Sequence, residues 1–272
     1  MRVQRQRMID EPPRSRPPRL MRAVAYASLA LGLDPRKLRN VRHLGRFWSQ
    51  VKAWRAMGGV IAGYQPILSD YGEQAGATAS DYFHQDLLVA SFVHDAMPVR
   101  HMDVGSRIDG FVAHIAVFRP VDVIDIRDLD PLWHPNIRFT KADLMAGDGV
   151  GSAITDSLSC LHAIEHFGLG RYGDPVDPDG HKRGFANLWR MLAPGGRLYI
   201  SFPVGPATTV EFNAHRVFHP EDIFTWHPEV SRAALTRFDV VARGGALHQQ
   251  VDPASEIAQR GICGIYTLRK AA

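Results

Sequence analysis

Cysteine is nearly absent: the 272 residues contain only Cys160 and Cys263, each inside an apolar, strand-like run. That excludes a disulfide framework and predicts two buried free thiols in a reducing compartment. Long apolar runs are also missing. The longest, Ala23 to Leu33, is far too short to span a bilayer. The first twenty residues, MRVQRQRMIDEPPRSRPPRL, carry no apolar core of a secretory signal, so a cytoplasmic location is expected. With 45% apolar and 22% charged residues, collagen-like and wholly disordered classes are excluded as well.

Acidic residues are scarce at one end. Up to Arg55 there are 14 Lys and Arg against 3 Asp and Glu, a net +11, whereas the remainder carries −7. A basic head on an acidic body suits an anionic membrane surface, a nucleic acid or an acidic partner. No aromatic residue interleaves the Arg residues before Tyr26, which argues against nucleic acid. Peripheral membrane contact through this basic end stays open beside a plainly solvated tail. Residues 1–20, rich in Arg and Pro, are expected to be disordered. A short helix is expected over 21–32, stopped by Gly32 and Asp34–Pro35. The spacing of Leu38, Val41, Leu44, Phe47, Trp48, Val51 and Trp54 predicts an amphipathic helix over 36–57. Residues 58–80 read as a Gly-rich loop.

From residue 81 the pattern changes. A helix is expected over Asp81–Asp95. Apolar runs follow at Val99–Val104, Val121–Ile126, Ile137–Ala142, Ser157–Leu161 and Arg197–Phe202, separated by helical or loop segments. Such alternation points to an α/β fold with a Rossmann-like, doubly wound, mostly parallel sheet. The last two runs, Phe238–Ala242 and Gly264–Leu268, have no clear helix between them and read as an antiparallel end.

The first strand runs into Asp103-Val-Gly105-Ser106-Arg107-Ile-Asp109-Gly110, with a helical run from Phe111 to Phe118. A glycine at such a turn lets a ligand approach the backbone, and the next helix offers free N–H groups. The second strand ends at Asp125-Ile126, about 20 residues later, where an acid takes the two ribose hydroxyls in doubly wound sheets. Together these residues resemble the class I S-adenosylmethionine-dependent methyltransferases. Ala142-Asp143-Leu144 is similar to that family's third-strand motif beside the adenine. Ser159-Cys-Leu-His162-Ala-Ile-Glu165-His166 is similar to its fourth-strand segment, and Leu192-Ala-Pro194-Gly195-Gly196 to its L-x-P-G-G turn. A closer resemblance, through Tyr82 to Leu87, His162-x-x-Glu165-His166 and Gly168-Leu-Gly170-Arg171-Tyr172-Gly173, is to a methyltransferase-like domain of unknown function first named from Caenorhabditis.

The resemblance implies a methyltransferase-like domain over 81–272, after an N-terminal helical extension over 21–80. S-adenosyl-L-methionine is the implied cofactor, with Asp103, Gly105, Ser106, Arg107, Asp125, Ile126, Asp143 and Leu144 around it. His166, His162 and Glu165 are the candidate catalytic residues, His166 as the base for a substrate hydroxyl. His84, Gln85, Asp86, Arg171, Tyr172, His215 and Arg216 are candidates for binding a small-molecule or glycan-type acceptor. The loop Gly168 to His181 reads either as a lid or substrate-recognition element, with Arg171, Tyr172, Asp174, Asp177 and Asp179 suited to a polyhydroxylated ligand, or as a plain connector. One departure stands out. Arg107 and Asp109 replace the second and third glycines of the family's first motif. Arg107 either pairs with the cofactor carboxylate or blocks the hollow, and the latter would leave a non-catalytic binding protein. His162-x-x-Glu165-His166 also matches an inverted zinc-hydrolase pattern, but that reading needs a helix and a third ligand. Glu211, His215 and His219 are the only donors in view for it, and no metal is expected.

Overall fold

The computed structural model describes residues 35–73, 76, 78, 80–131, 134–147 and 150–272; the basic tail and the helix expected over 21–32 lie outside them. The chain divides into two units between Gly76 and Ala77. In the first unit the single helix expected over 36–57 is two pieces. A 3-10 segment, Pro35–His43, precedes α1, Leu44–Ala56. Helix α1 has neither a side-chain cap nor an acid in its first turn, so its start lacks the stabilisation those give. None of α1 is fully buried. Its Trp48 packs on Tyr64 at 5.3 Å between ring centres, and Arg55 Nη2 donates to the Tyr64 hydroxyl at 2.6 Å.

The second unit carries the sheet. Helix α2, Asp81–Ala96, leads into β1, His101–Val104. The helix expected over Phe111–Phe118 is a wide turn at Ile108–Val112 followed by the one-turn α3, Ala113–Ala116. Strands β2, Val121–Asp125, β3, Ile137–Lys141, and β4, Thr155–Leu161, come next. Helix α4, Gly180–Met191, runs directly into β5, Leu192–Phe202. A small hairpin, β6 (Thr209–Glu211) and β7 (His215–Val217), precedes β8 (Leu235–Ala242), β9 (Ala246–His248), the short α5 (Glu256–Gln259) and β10 (Cys263–Arg269).

The main sheet has the order β3-β2-β1-β4-β5-β10-β8-β9. Strands β1 to β5 are parallel, and β10 inserts antiparallel between β5 and β8. This is the class I methyltransferase sheet implied by the motifs. The antiparallel end is therefore more than a hairpin: β10 is flanked on both sides, and β9 extends the edge. Side-chain alternation explains why both faces are covered. Leu198, Ile200 and Phe202 point to one face, with Phe185, Leu188 and Trp189 of α4. Tyr199 points to the other, with Val89 and Val93 of α2 and Phe111 and Ile115 beyond β1.

A polar seam crosses this apolar sheet. Asp103 and Ser159 are register partners on β1 and β4. Ser159 Oγ donates to Asp103 Oδ1 at 2.5 Å, and Ser106 Oγ donates to the same oxygen at 2.7 Å. His101 lies 2.8 Å from Ser157 Oγ and 3.2 Å from Ser159 Oγ. Burial raises the Asp103 carboxyl from 3.8 to about 6, against the lowering effect of its serine donors. Between those values the folded carboxyl keeps a proton that the unfolded chain has released. Its contribution to stability is thus present at low pH and is lost as pH rises to about 6, by about 3 kcal/mol. Replacing Asp103 by Asn should remove that loss. Urea unfolding at pH 4.5 and 7.5 should show the variant gaining about 2 kcal/mol relative to the wild type on going to the higher pH. Parallel pH profiles would contradict the assignment.

Candidate functional site

The carboxyl ends of β1, β2 and β4 enclose a cavity of about 300 Å³, within the range of small-molecule sites. Its position follows from two tight backbone features. Gly105 turns the chain out of β1 at φ +73°, and a Cβ there would lie 2.8 Å from the Ala163 Cβ. A side chain would be strained by conformation and would also press into the end of β4. The Gly105 N–H donates to the Ile124 carbonyl at 2.9 Å, tying the turn to β2.

Six of the eight expected cofactor-site residues line the cavity: Gly105, Arg107, Asp125, Ile126, Asp143 and Leu144. The other two do not. Asp103 is fully buried behind the turn, and Ser106 is spent on it through both its N–H and its hydroxyl. They shape the wall, because a carboxyl inside a strand pair must take its hydrogen bonds locally. Arg107 does not plug the hollow. Its guanidinium pairs with Asp109, Nε to Oδ1 at 3.0 Å and Nη2 to Oδ2 at 2.7 Å, on an exposed rim. Asp125 is gripped by Arg127 through Nε at 2.9 Å, Nη2 at 2.5 Å and the backbone N–H at 2.8 Å. Two of these donors take Oδ1 and one takes Oδ2, so a lone pair of Oδ2 remains for a ligand hydroxyl.

His162 and His166 both border the cavity, and Glu165 lies buried between them. The helix needed for an inverted zinc-hydrolase motif is not there. His162 sits at φ +49°, and Ile164–His166 is a 3-10 turn, so the two imidazoles do not share a helix face. Glu211, His215 and His219 join no ligand cluster with them among the described residues. His162 is a committed side chain. Nδ1 lies 2.9 Å from Glu165 Oε1, and Nε2 faces Asp81 Oδ2 at 3.3 Å, off the line of a hydrogen bond. Burial disfavours its charge, but Cys263, Asp81 and Glu165 outweigh that and hold its pKa well above the ordinary histidine value. His166 is the reverse case. Burial lowers its pKa against the opposing pull of Glu165, and its Nδ1 is buried without a hydrogen-bond partner. It is a neutral imidazole at pH 7.

The expected substrate residues divide. Tyr172 lines the cavity, its ring 5.4 Å from that of His166. Arg171 stays on the outside, donating to the Ala214 carbonyl at 3.0 Å. His84 bonds the Thr78 carbonyl at 2.8 Å, and Gln85 and Asp86 are buried against each other at 3.0 Å, with Asp86 filling the space beneath Gly110. They are packing and capping groups because α2 presents only its first turn, through Tyr82, to the cavity. His215 lies in β7 away from the cavity wall. Arg216 is a strap. It donates to the carbonyls of Glu165, Phe167, Asp177 and Pro178, at 3.3, 2.6, 3.2 and 3.3 Å.

Tyr82, Arg127 and Phe167 line the cavity without a role assigned from the sequence, and so does Asp174, one of the loop's expected polar candidates. Its carboxylate accepts from the N–H groups of Gly168 at 2.8 Å, Gly170 at 3.1 Å and Tyr172 at 3.1 Å. The loop is therefore a pinned turn that presents Tyr172, neither a loose connector nor a free lid. Asp174→Ala should release those three amides. Hydrogen exchange at Gly168–Tyr172 should accelerate at least tenfold while β4 and β5 stay protected; unchanged exchange in the loop would contradict the pinning.

Comparison with known proteins is consistent with the sequence motifs. The model of the family described as Caenorhabditis protein of unknown function, DUF268, matches residues 152–223. No curated protein matches the chain in sequence. Among solved structures, it is similar to 1,6-didemethyltoxoflavin-N1-methyltransferase of Burkholderia thailandensis, at 16% identity over 69% of this chain and 79% of that one, with a TM-score of 0.47. It is also similar to the N-methyltransferase NodS of Bradyrhizobium japonicum in complex with S-adenosylhomocysteine, at 13% identity over 71% and 89%, with a TM-score of 0.43. A third, an S-adenosylmethionine-dependent methyltransferase of Clostridium acetobutylicum, is 12% identical over 71% and 93%, with a TM-score of 0.46. In sequence motifs and in sheet order alike, the chain is similar to class I S-adenosylmethionine-dependent methyltransferases.

Proposed function

We propose that the chain binds S-adenosylmethionine in this cavity and transfers its methyl group to a hydroxyl oxygen of a small-molecule or glycan-type acceptor. The residues present fit the cofactor. Ile124, Ala142 and Leu144 form an apolar slot for a flat base. Asp125 keeps an accepting lone pair for a ribose hydroxyl. Gly105 leaves room for the amino-acid part to lie against the backbone. Bound there, the cofactor supplies an electrophilic methyl group carried on a sulfonium sulfur.

The chain's own work is positioning and proton handling. Arg127 fixes the orientation of the Asp125 carboxylate and stacks over the Tyr172 ring at 4.7 Å. The pinned loop sets Tyr172 beside His166 at that end of the cavity. His166 is a neutral ring at the cavity wall. A substrate hydroxyl that bonds an accepting nitrogen of that ring can pass its proton there as the oxygen takes the methyl group. Glu165 and His162 lie behind it as positioning residues. The single observation that carries the reading is the pairing, in one cavity, of a β2-terminal carboxylate beside apolar side chains with the imidazole of His166.

Calorimetry with S-adenosylmethionine and S-adenosylhomocysteine should give one site per chain, weakened at least tenfold by Asp125→Ala. No binding to the wild type at high micromolar ligand would overturn the reading. With an identified acceptor, His166→Ala should lower kcat by about 10²–10⁴ with cofactor affinity unchanged. The wild-type profile should rise through a pKa below 6.5, since burial disfavours the imidazolium, and the variant should lose that limb. Unchanged turnover in His166→Ala would remove the base.

A further inference from the structure

Behind the cavity wall, three donor atoms of three different kinds converge. Asp81 begins α2, His162 follows the end of β4, and Cys263 begins β10. A carboxylate oxygen, the His162 Nε2 and the Cys263 Sγ all lie within 4.8 Å of one another. From this geometry we infer that Asp81, His162 and Cys263 form a zinc-binding site.

The local chemistry supports a metal over a simple packed cluster. His162 Nε2 is buried with no hydrogen-bond partner, on a side chain only 5% exposed. A buried ring nitrogen without a partner is costly unless something binds it. Cys263 is fully buried, and its thiol makes only weak sulfur hydrogen bonds, to Gln85 Oε1 at 3.7 Å and the Gly264 carbonyl at 3.8 Å, which a metal would replace. Neighbouring donors around tetrahedral zinc stand about 3.3–3.7 Å apart, since the bonds are about 2.0–2.3 Å. The 3.3 Å between His162 Nε2 and Asp81 Oδ2 already equals that edge.

The outer contacts are those a zinc-bound imidazole uses. Glu165 Oε1 takes Nδ1 at 2.9 Å, which orients the ring and leaves Nε2 facing the other two donors. The His162 backbone is turned into the left-handed region, φ +49°, a strained conformation for a histidine. The same side chain reaches Asp81 and Cys263. One nitrogen, one thiolate and one carboxylate suit zinc better than magnesium or calcium, which prefer all-oxygen sets. On binding, zinc takes the place of the thiol proton and of any proton on Nε2, and both leave to solvent. Three protein ligands leave a fourth position open, toward the partly exposed Asp81 side. Such an ion would staple the start of α2 and the start of β10 to the end of β4. This inference stands apart from the methyl-transfer reading, because metal binding is read without any cofactor or acceptor.

The test is a titration of chelator-treated full-length chain with cobalt(II), then zinc(II). The wild type should bind one cobalt per chain, with a thiolate-to-cobalt charge-transfer band and the strong visible absorption of four-coordinate cobalt, and zinc should displace it. Cys263→Ser should lose the charge-transfer band, Cys160→Ser should keep it, and Asp81→Asn should bind at least tenfold more weakly. The wild type supplies a second readout that needs no variant: stoichiometric zinc should raise Tm by several degrees. Absence of both the band and the Tm shift in the wild type would overturn the site. So would a charge-transfer band that survives in folded Cys263→Ser.

Discussion

The register of β1 against β4 is the constraint from which the rest follows. Pairing Asp103 with Ser159 buries a carboxyl between hydroxyl donors and stops β1 where Gly105 must turn. The same pairing sets Ala163 against that turn, with no room for a side chain between them. A shift of one residue would send every β1 side chain to the wrong face and would leave the carboxyl without donors. The cavity is the space this junction leaves at the end of the sheet. Its far wall is added by the loop that Asp174 pins.

Two histidines four residues apart illustrate how environment divides roles between like groups. His162 is surrounded by acids and a thiol, holds both ring nitrogens inward and serves the architecture. His166 is buried with Arg171 and His215 set against the pull of Glu165, and stays neutral. The left-handed turn at His162 is what separates them. Arg216 contributes from the other side, by holding the carbonyls of the 3-10 turn and of the loop in one strap.

Much of the fold was legible because parallel strands buried on both faces must be apolar runs, and five of them were visible between residues 99 and 202. The Gly105 turn was legible because its positive φ favours glycine, and Asp125 because an acid there closes an apolar strand. Less could be read where partners are distant in sequence. Arg216 looked like a ligand-binding group, yet its guanidinium is taken by four carbonyls contributed by residues 165–178. Gln85 and Asp86 were candidates for binding an acceptor, but their side chains face the interior, and Gln85 meets Ser201 on β5. The Asp81–His162–Cys263 convergence joins residues spread over most of the domain, and no local spacing announces it.

The account rests on a nucleoside lying between Ile124 and Leu144 with its sugar at Asp125. A crystal structure of the chain with S-adenosylhomocysteine tests that most directly. The account predicts the adenine in the apolar slot, a ribose hydroxyl on Asp125 Oδ2 and the amino-acid end beside Gly105, with Arg107 still paired to Asp109. Density for the ligand elsewhere, or a cavity that excludes it at millimolar concentration, would contradict it.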